Sequence, residues 1–240
     1  MTDLPHVADH EHADVTGGWL RPAVFGAMDG LVSNVALIAG VAAGASTAGA
    51  DRTESVVLAG LAGLFAGALS MAAGEYTSVA SQAEAAQREI AREREEIRTN
   101  PDQEVAELAA RLEVMGVDDD LAAQVAAQIH EDPEIAVTVH ARQELGVTDD
   151  DLASPTVAAV SSFLSFSVGA AVPLLPWLVG VPELWLAVAL TLVALFGCGA
   201  VVARVTVRSW WYAGLRQAVL GGAAAAATYG LGAAVGVGLG

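Results

Sequence analysis

The chain has 240 residues, 54% of them apolar, a mean hydropathy of +0.51 and a formal net charge of −17. A charged surface dilutes the apolar content of a soluble domain, so these values exclude an ordinary soluble globule and point to apolar blocks beside one acidic segment. The surplus of carboxylates disfavours nucleic acid as a partner and favours cations, while the single cysteine, Cys198, excludes a disulfide framework or a thiolate cluster.

Residues 1–18 are acidic and carry His6, His10 and His12, the reverse of a basic leader, and are expected to form a disordered tail. Residues 19–83 hold two apolar stretches, near 21–46 and 55–80, and residues 152–240 hold three more, near 156–179, 183–207 and 212–239. Each matches the roughly 20 helical residues that cross a hydrocarbon layer of about 30 Å. Between them, residues 84–151 contain 19 of the 28 acidic residues and six arginines, a net −13. Breaks at Thr99-Asn100-Pro101, Gly116-Val117-Asp118, Asp132-Pro133 and Gly146-Val147-Thr148 divide this insert into short helices. No proline lies between Glu75 and Arg98, and no glycine, so span 2 is predicted to leave the membrane as one long helix. Pro173 and Pro176 are predicted to kink or end span 3. The predicted fold class is an all-α membrane protein, with five transmembrane helices and a helical insert between the second and third.

Orientation follows from charge. Arg21 precedes span 1, the insert arginines follow span 2, and Arg204, Arg208 and Arg216 flank the connection between spans 4 and 5, whereas the other connections are poor in arginine. Positive-inside logic places the N-terminus and insert in the cytoplasm and Gly240 outside. With no organelle-targeting segment visible, the expected location is the plasma membrane. All five tryptophans (Trp19, Trp177, Trp185, Trp210, Trp211) fall at span ends, where interfacial rings are expected. Gly26–Gly30, Gly40–Gly44, Gly63–Gly67 and Gly232–Gly236 have the spacing of close helix packing, within the chain or in a homodimer.

Carboxylates at membrane depth are costly and mark ion paths. Asp29 lies in span 1 and Glu75 near the cytoplasmic end of span 2, with Met71 one turn before it on the same face. Thioether with carboxylate is a mixed ligand set suited to a borderline transition metal rather than Mg²⁺ or Ca²⁺. For Asp29 the alternative is a cap on a broken helix before Gly30, and for Met71 it is core packing. In the insert, Glu89, Glu93 and Glu96 share one helix face, Glu104 and Glu107 are three apart, and His140 and Glu144 are four apart. These sets are suited to holding divalent ions. By spacing alone a solvated acidic face is the stronger reading, and no ExxH pair of the di-iron type is present.

Two strings change that balance. Phe25-Gly26-Ala27-Met28-Asp29-Gly30-Leu31-Val32-Ser33 and Ala68-Leu69-Ser70-Met71-Ala72-Ala73-Gly74-Glu75-Tyr76, the latter followed by Ser78-Val79-Ala80-Ser81-Gln82, resemble signatures of the vacuolar iron transporter family. The resemblance covers nearly the whole chain. It implies a homodimeric five-helix transporter that moves Fe²⁺ or Mn²⁺ out of the cytoplasm in exchange for protons. It further implies that Asp29, Met71 and Glu75 form the membrane path, and that Glu93, Glu96, Glu104, Glu107 and Glu144 belong to a cytoplasmic metal-binding domain. Met28 stands where the family commonly has Asn. His140 stands where its best-known members have Met, and an imidazole, unlike a thioether, also binds protons near neutrality. No permanently bound cofactor is expected, the metal being substrate, and no enzymatic activity. The rival readings are a membrane-anchored metal sensor or store that moves nothing, and a membrane ferroxidase, against which the missing ExxH pairs argue.

Overall fold

A computed structural model describes residues 18–48, 51–146, 148, 152–204 and 208–239; the tail with His6, His10 and His12 lies outside these. Among the described residues the regular elements are all helical: α1 (Leu20–Ala48), α2 (Arg52–Thr99), α3 (Pro101–Val114), α4 (Asp119–Ile129), α5 (Pro133–Glu144), α6 (Pro155–Ala171), α7 (Leu175–Leu178), α8 (Leu184–Val202) and α9 (Trp210–Leu239). Among the described residues, five segments are long and apolar enough to span a membrane: Leu20–Ser46, part of Arg52–Thr99, Pro155–Leu178, Leu184–Val202 and Trp210–Val237. The chain divides into two compact units, Met1–Tyr76 with Pro155–Gly240, and Thr77–Ser154.

Helix α2 begins where the Asp51 carboxylate accepts from the Thr53 and Glu54 amides, at 2.9 and 3.1 Å. It then runs 48 residues without a break, since nothing in the sequence interrupts it. At 1.5 Å per residue that is about 72 Å, more than twice a hydrocarbon layer. The residues from Glu84 onward are charged, so only the first half of α2 is a spanning segment and the second half belongs to the insert.

The spanning unit is held together by small residues. A Cβ at Gly26 or Gly30 would strike the backbone of α6 around Ser162 and Phe166, and one at Gly169 would strike the Ala27 carbonyl. A Cβ at Gly40 would stand 3.1 Å from the Thr228 carbonyl oxygen of α9, and one at Gly44 would stand 3.3 Å from that of Gly232. In lipid, where apolar surface gains nothing by leaving the solvent, such backbone approach is the main source of helix association. Two of the GxxxG pairs in α1 are thus used inside the chain. Ile38, Ala42, Val56, Leu174, Trp177 and Ala187 form a buried cluster.

Trp177 corrects one expectation: it is 5% exposed and sits in this core, while Trp19, Trp185, Trp210 and Trp211 are exposed. Pro173 and Pro176 are the cause. They end α6 at Ala171, insert a 3₁₀ turn over Val172–Leu174 and begin the short α7, leaving the Trp177 ring among core side chains.

In the insert, Ile90 and Ile97 of α2 pack with Ala136, Val137 and Ala141 of α5, and Leu108 and Ala109 of α3 pack with Ala126 of α4. The joints are chemically specified. Pro101 and Pro133 open α3 and α5. Asp118 caps α4, and Asp132 caps α5 by accepting from the Glu134 amide at 3.0 Å. After α3, Gly116 takes φ +95°, and the Val117 amide turns back to the Leu112 carbonyl at 3.0 Å.

Candidate metal centres

In the spanning unit, Asp29, Ser33, Asn34 and Leu37 of α1 face Gly63, Gly67, Ser70 and Met71 of α2 across a cavity of about 260 Å³, with Phe166 of α6 beside them. The spacings on both helices, four, five and eight from the first residue on α1 and four, seven and eight on α2, each define one helical face. Asp29 and Met71 are therefore brought together, while Glu75, one turn beyond Met71 and half-buried, lies outside this lining. Gly63 and Gly67 make the space. A Cβ at Gly63 would approach a Leu37 methyl at 2.5 Å and the Asn34 amide oxygen at 3.1 Å, and one at Gly67 would run into the Phe166 ring.

In the insert, three helices each bring one ligand-type group to a common point. Glu93 of α2, Glu104 of α3 and His140 of α5 are 7%, 4% and 0% exposed. One ligand atom from each lies within 4.8 Å of the others. His140 Nδ1 is the hub, 2.7 Å from Glu93 Oε1, 3.6 Å from Glu144 Oε1 and 3.7 Å from Glu104 Oε2. Despite the short approach, Glu93 Oε1 and both His140 ring nitrogens lack an aligned hydrogen-bond partner. Buried polar atoms that converge without satisfying one another are costly unless something sits among them, and a cation meets that need. A solvated acidic face is excluded for these three residues.

The remaining predicted insert residues sit around this triad. Glu96, Glu107 and Glu144 join Glu93 in lining a cavity of about 300 Å³. Glu96 accepts from Arg92 at 3.0 Å. The Arg111 guanidinium bridges Glu107 at 2.7 Å and Glu144 at 2.8 Å, setting a positive charge against both carboxylates.

Sequence reasoning passed over three residues. Arg111 entered only as a charge. His130 meets the His140 ring edge-on at 5.1 Å, its Nδ1 lies 2.8 Å from the Ala126 carbonyl, and its buried Nε2 has no partner. Asn34 is 2% exposed in the middle of an apolar run, and a lone amide there was the available signal.

Burial, reinforced by the carboxylates of Glu144, Glu96 and Glu107 and opposed by Arg111, raises the Glu93 carboxyl from 4.5 to about 7. Burial, with Glu93 and Glu107 nearby, also raises Glu104, against the pull of His140. A carboxyl with a raised folded pKa holds its proton more tightly folded than unfolded. Between about pH 4.5 and about pH 7 the metal-free insert therefore loses stability as pH rises, and a bound cation reverses the loss. Amide hydrogen exchange in α5, corrected for intrinsic pH dependence, is expected to show this. Protection without metal should be greater at pH 5.5 than at pH 8, and Mn²⁺ should add most at pH 8. A metal effect independent of pH would remove Glu93 from the site.

The chain matches the model of the VIT family over residues 20–233. It is 33% identical over 246 residues to the vacuolar iron transporter 1 of Oryza sativa subsp. japonica, covering 97% of this chain and 95% of that one. It is 38% identical over 181 residues to the vacuolar iron transporter of Acanthamoeba castellanii, covering 75% of this chain and 62% of the amoebal protein. It is 30% identical over 225 residues to the vacuolar iron transporter 1 of Arabidopsis thaliana. These names overturn the plasma-membrane location expected from the sequence, because the relatives are vacuolar. The expectation rested on seeing no organelle-targeting segment, which does not identify the bilayer, and arginine asymmetry reports only which helix ends face the cytoplasm.

Proposed function

Because the chain belongs to the VIT family, whose members are transporters and not enzymes, we propose that it carries Fe²⁺ or Mn²⁺ out of the cytoplasm as a homodimer, in exchange for protons. The observation that carries the reading is the cavity in the spanning unit, where the Asp29 carboxylate and the Met71 thioether face one space. An anionic oxygen with a soft sulfur suits a borderline divalent ion, which each ligand alone would hold less selectively. Glu75 extends the same helix face by one turn and acts as a relay beyond the cavity. Carboxylates that bind either a proton or a metal ion provide a chemical basis for exchange.

The insert faces the cytoplasm in this reading and binds the metal through Glu93, Glu104 and His140, with Glu96, Glu107 and Glu144 joining when Arg92 and Arg111 release them. The unpartnered atoms of the triad support it. The test is flux in proteoliposomes with a metal-sensitive dye on one side and a pH dye on the other. Metal entry accompanied by opposite proton movement is expected. Binding without flux would instead identify a sensor or store.

A further inference from the structure

We propose that the side-chain amide oxygen of Asn34 is a third ligand to the divalent cation in the α1–α2 cavity, and that it biases the site toward oxygen-seeking ions. The proposal rests on the reading of this cavity as the transport path and adds a residue to it.

The amide is oriented by a contact 136 residues away: Asn34 Nδ2 donates to the Ala170 carbonyl at 2.6 Å. A carbonyl can only accept, so a flipped amide would set oxygen against oxygen, and the assignment of the two atoms is thereby fixed. Oδ1 then points the other way, where it is buried and has no hydrogen-bond partner. Its surroundings are the cavity, as the 3.1 Å to a hypothetical Gly63 Cβ shows. An amide oxygen kept from water and left unpaired is costly, most of all within a membrane. Any occupant of this space is therefore drawn to that oxygen. With Asp29 and Met71 on the same walls, the occupant is a cation, held by an anionic oxygen, a neutral oxygen and a thioether sulfur.

The neutral oxygen has a distinct consequence. It strengthens coordination without adding charge, so the ion is not trapped as a second carboxylate would trap it, and release remains possible. It also raises the share of hard ligands, which matters more to Mn²⁺ than to a thiophilic ion such as Cd²⁺.

The test uses the full chain in proteoliposomes with Mn²⁺ and Cd²⁺ as probes. Asn34→Leu keeps size and burial but removes the oxygen. Half-saturating Mn²⁺ should rise by about tenfold or more, the scale of one charge-assisted polar contact, while Cd²⁺ should change by less than about threefold. If Asn34→Leu does not fold, Gly63→Ala takes its place: its methyl would stand beside Oδ1 and should shift the same Mn²⁺/Cd²⁺ ratio in the same direction. A merely structural role would lower both ions alike, and equal losses, or unchanged Mn²⁺, overturn the proposal. Asp29→Asn separates the two levels. If it leaves flux intact, the reading of the cavity itself fails; if it removes flux while Asn34→Leu does not alter the ratio, only the role of Asn34 fails.

Discussion

Asp29→Asn is expected to lower metal flux by about two orders of magnitude or more while leaving the protein folded. The carboxylate is the one formal negative charge among the residues lining the α1–α2 cavity. Removing one partner of a desolvated ion pair costs several kcal/mol, which corresponds to about a hundredfold or more in binding. The substitution is nearly isosteric and introduces no charge. The local backbone does not depend on the carboxylate, since Ser33 Oγ donates to the Asp29 main-chain carbonyl at 2.6 Å. The helix packing around it comes from Gly26, Gly30 and Gly169. Initial rates of Mn²⁺ entry into proteoliposomes, beside size-exclusion profiles and helical circular dichroism, measure both halves of the expectation. Glu75→Gln is expected to do less, because Glu75 lies outside the cavity lining. Parental flux from a folded Asp29→Asn protein would remove the cavity from the mechanism.

The second large effect is expected in the insert. Glu93→Gln combined with Glu104→Gln is expected to weaken Mn²⁺ binding at the triad by about a hundredfold or more, because two buried carboxylates beside His140 vanish together. Glu96→Gln combined with Glu107→Gln removes the same formal charge but should cost far less, about tenfold or below. Those two side chains lie 3.0 Å from Arg92 and 2.7 Å from Arg111, and metal must displace an arginine to use them. Titration calorimetry of the full chain with Mn²⁺ separates the pairs by affinity and stoichiometry. Stability gives an independent readout. Without metal, the Glu93/Glu104 double variant should be more stable than the parent at pH 8, since Gln cannot ionise where Glu93 must. Equal metal affinity of the two double variants would mean that total charge, rather than the buried triad, holds the ion.

Much of this site was written in helical faces. Glu93 falls between Ile90 and Ile97, three and four residues away, so a carboxylate occupies an apolar stripe. Glu104 stands one turn before Leu108, and His140 follows Ala136 and Val137 by four and three residues. Each position is thereby directed inward by local sequence alone. What remained open was whether three inward-facing groups meet. Spacing on separate helices carries no information about convergence, which is why a solvated acidic face was the stronger reading by spacing.

The sequence by itself determined the helices, their breaks and their membrane character, because these depend on interactions among neighbours. Apolar runs set the spans, Pro101, Pro133 and Asp132 set helix starts, Gly116 sets a stop, and an unbroken run keeps α2 continuous from Arg52 to Thr99. Tertiary structure decided which polar atoms are deprived of water and which have found partners. Trp177 looks interfacial by position and is buried by the turn at Pro173 and Pro176. Arg111 looks like surface charge and bridges two carboxylates. Asn34 looks like an isolated polar residue, yet Ala170, 136 residues later, aims its oxygen into the cavity. Binding chemistry at these points depends on distances of about 3 Å between groups far apart in the chain, and only the packed helices establish such distances.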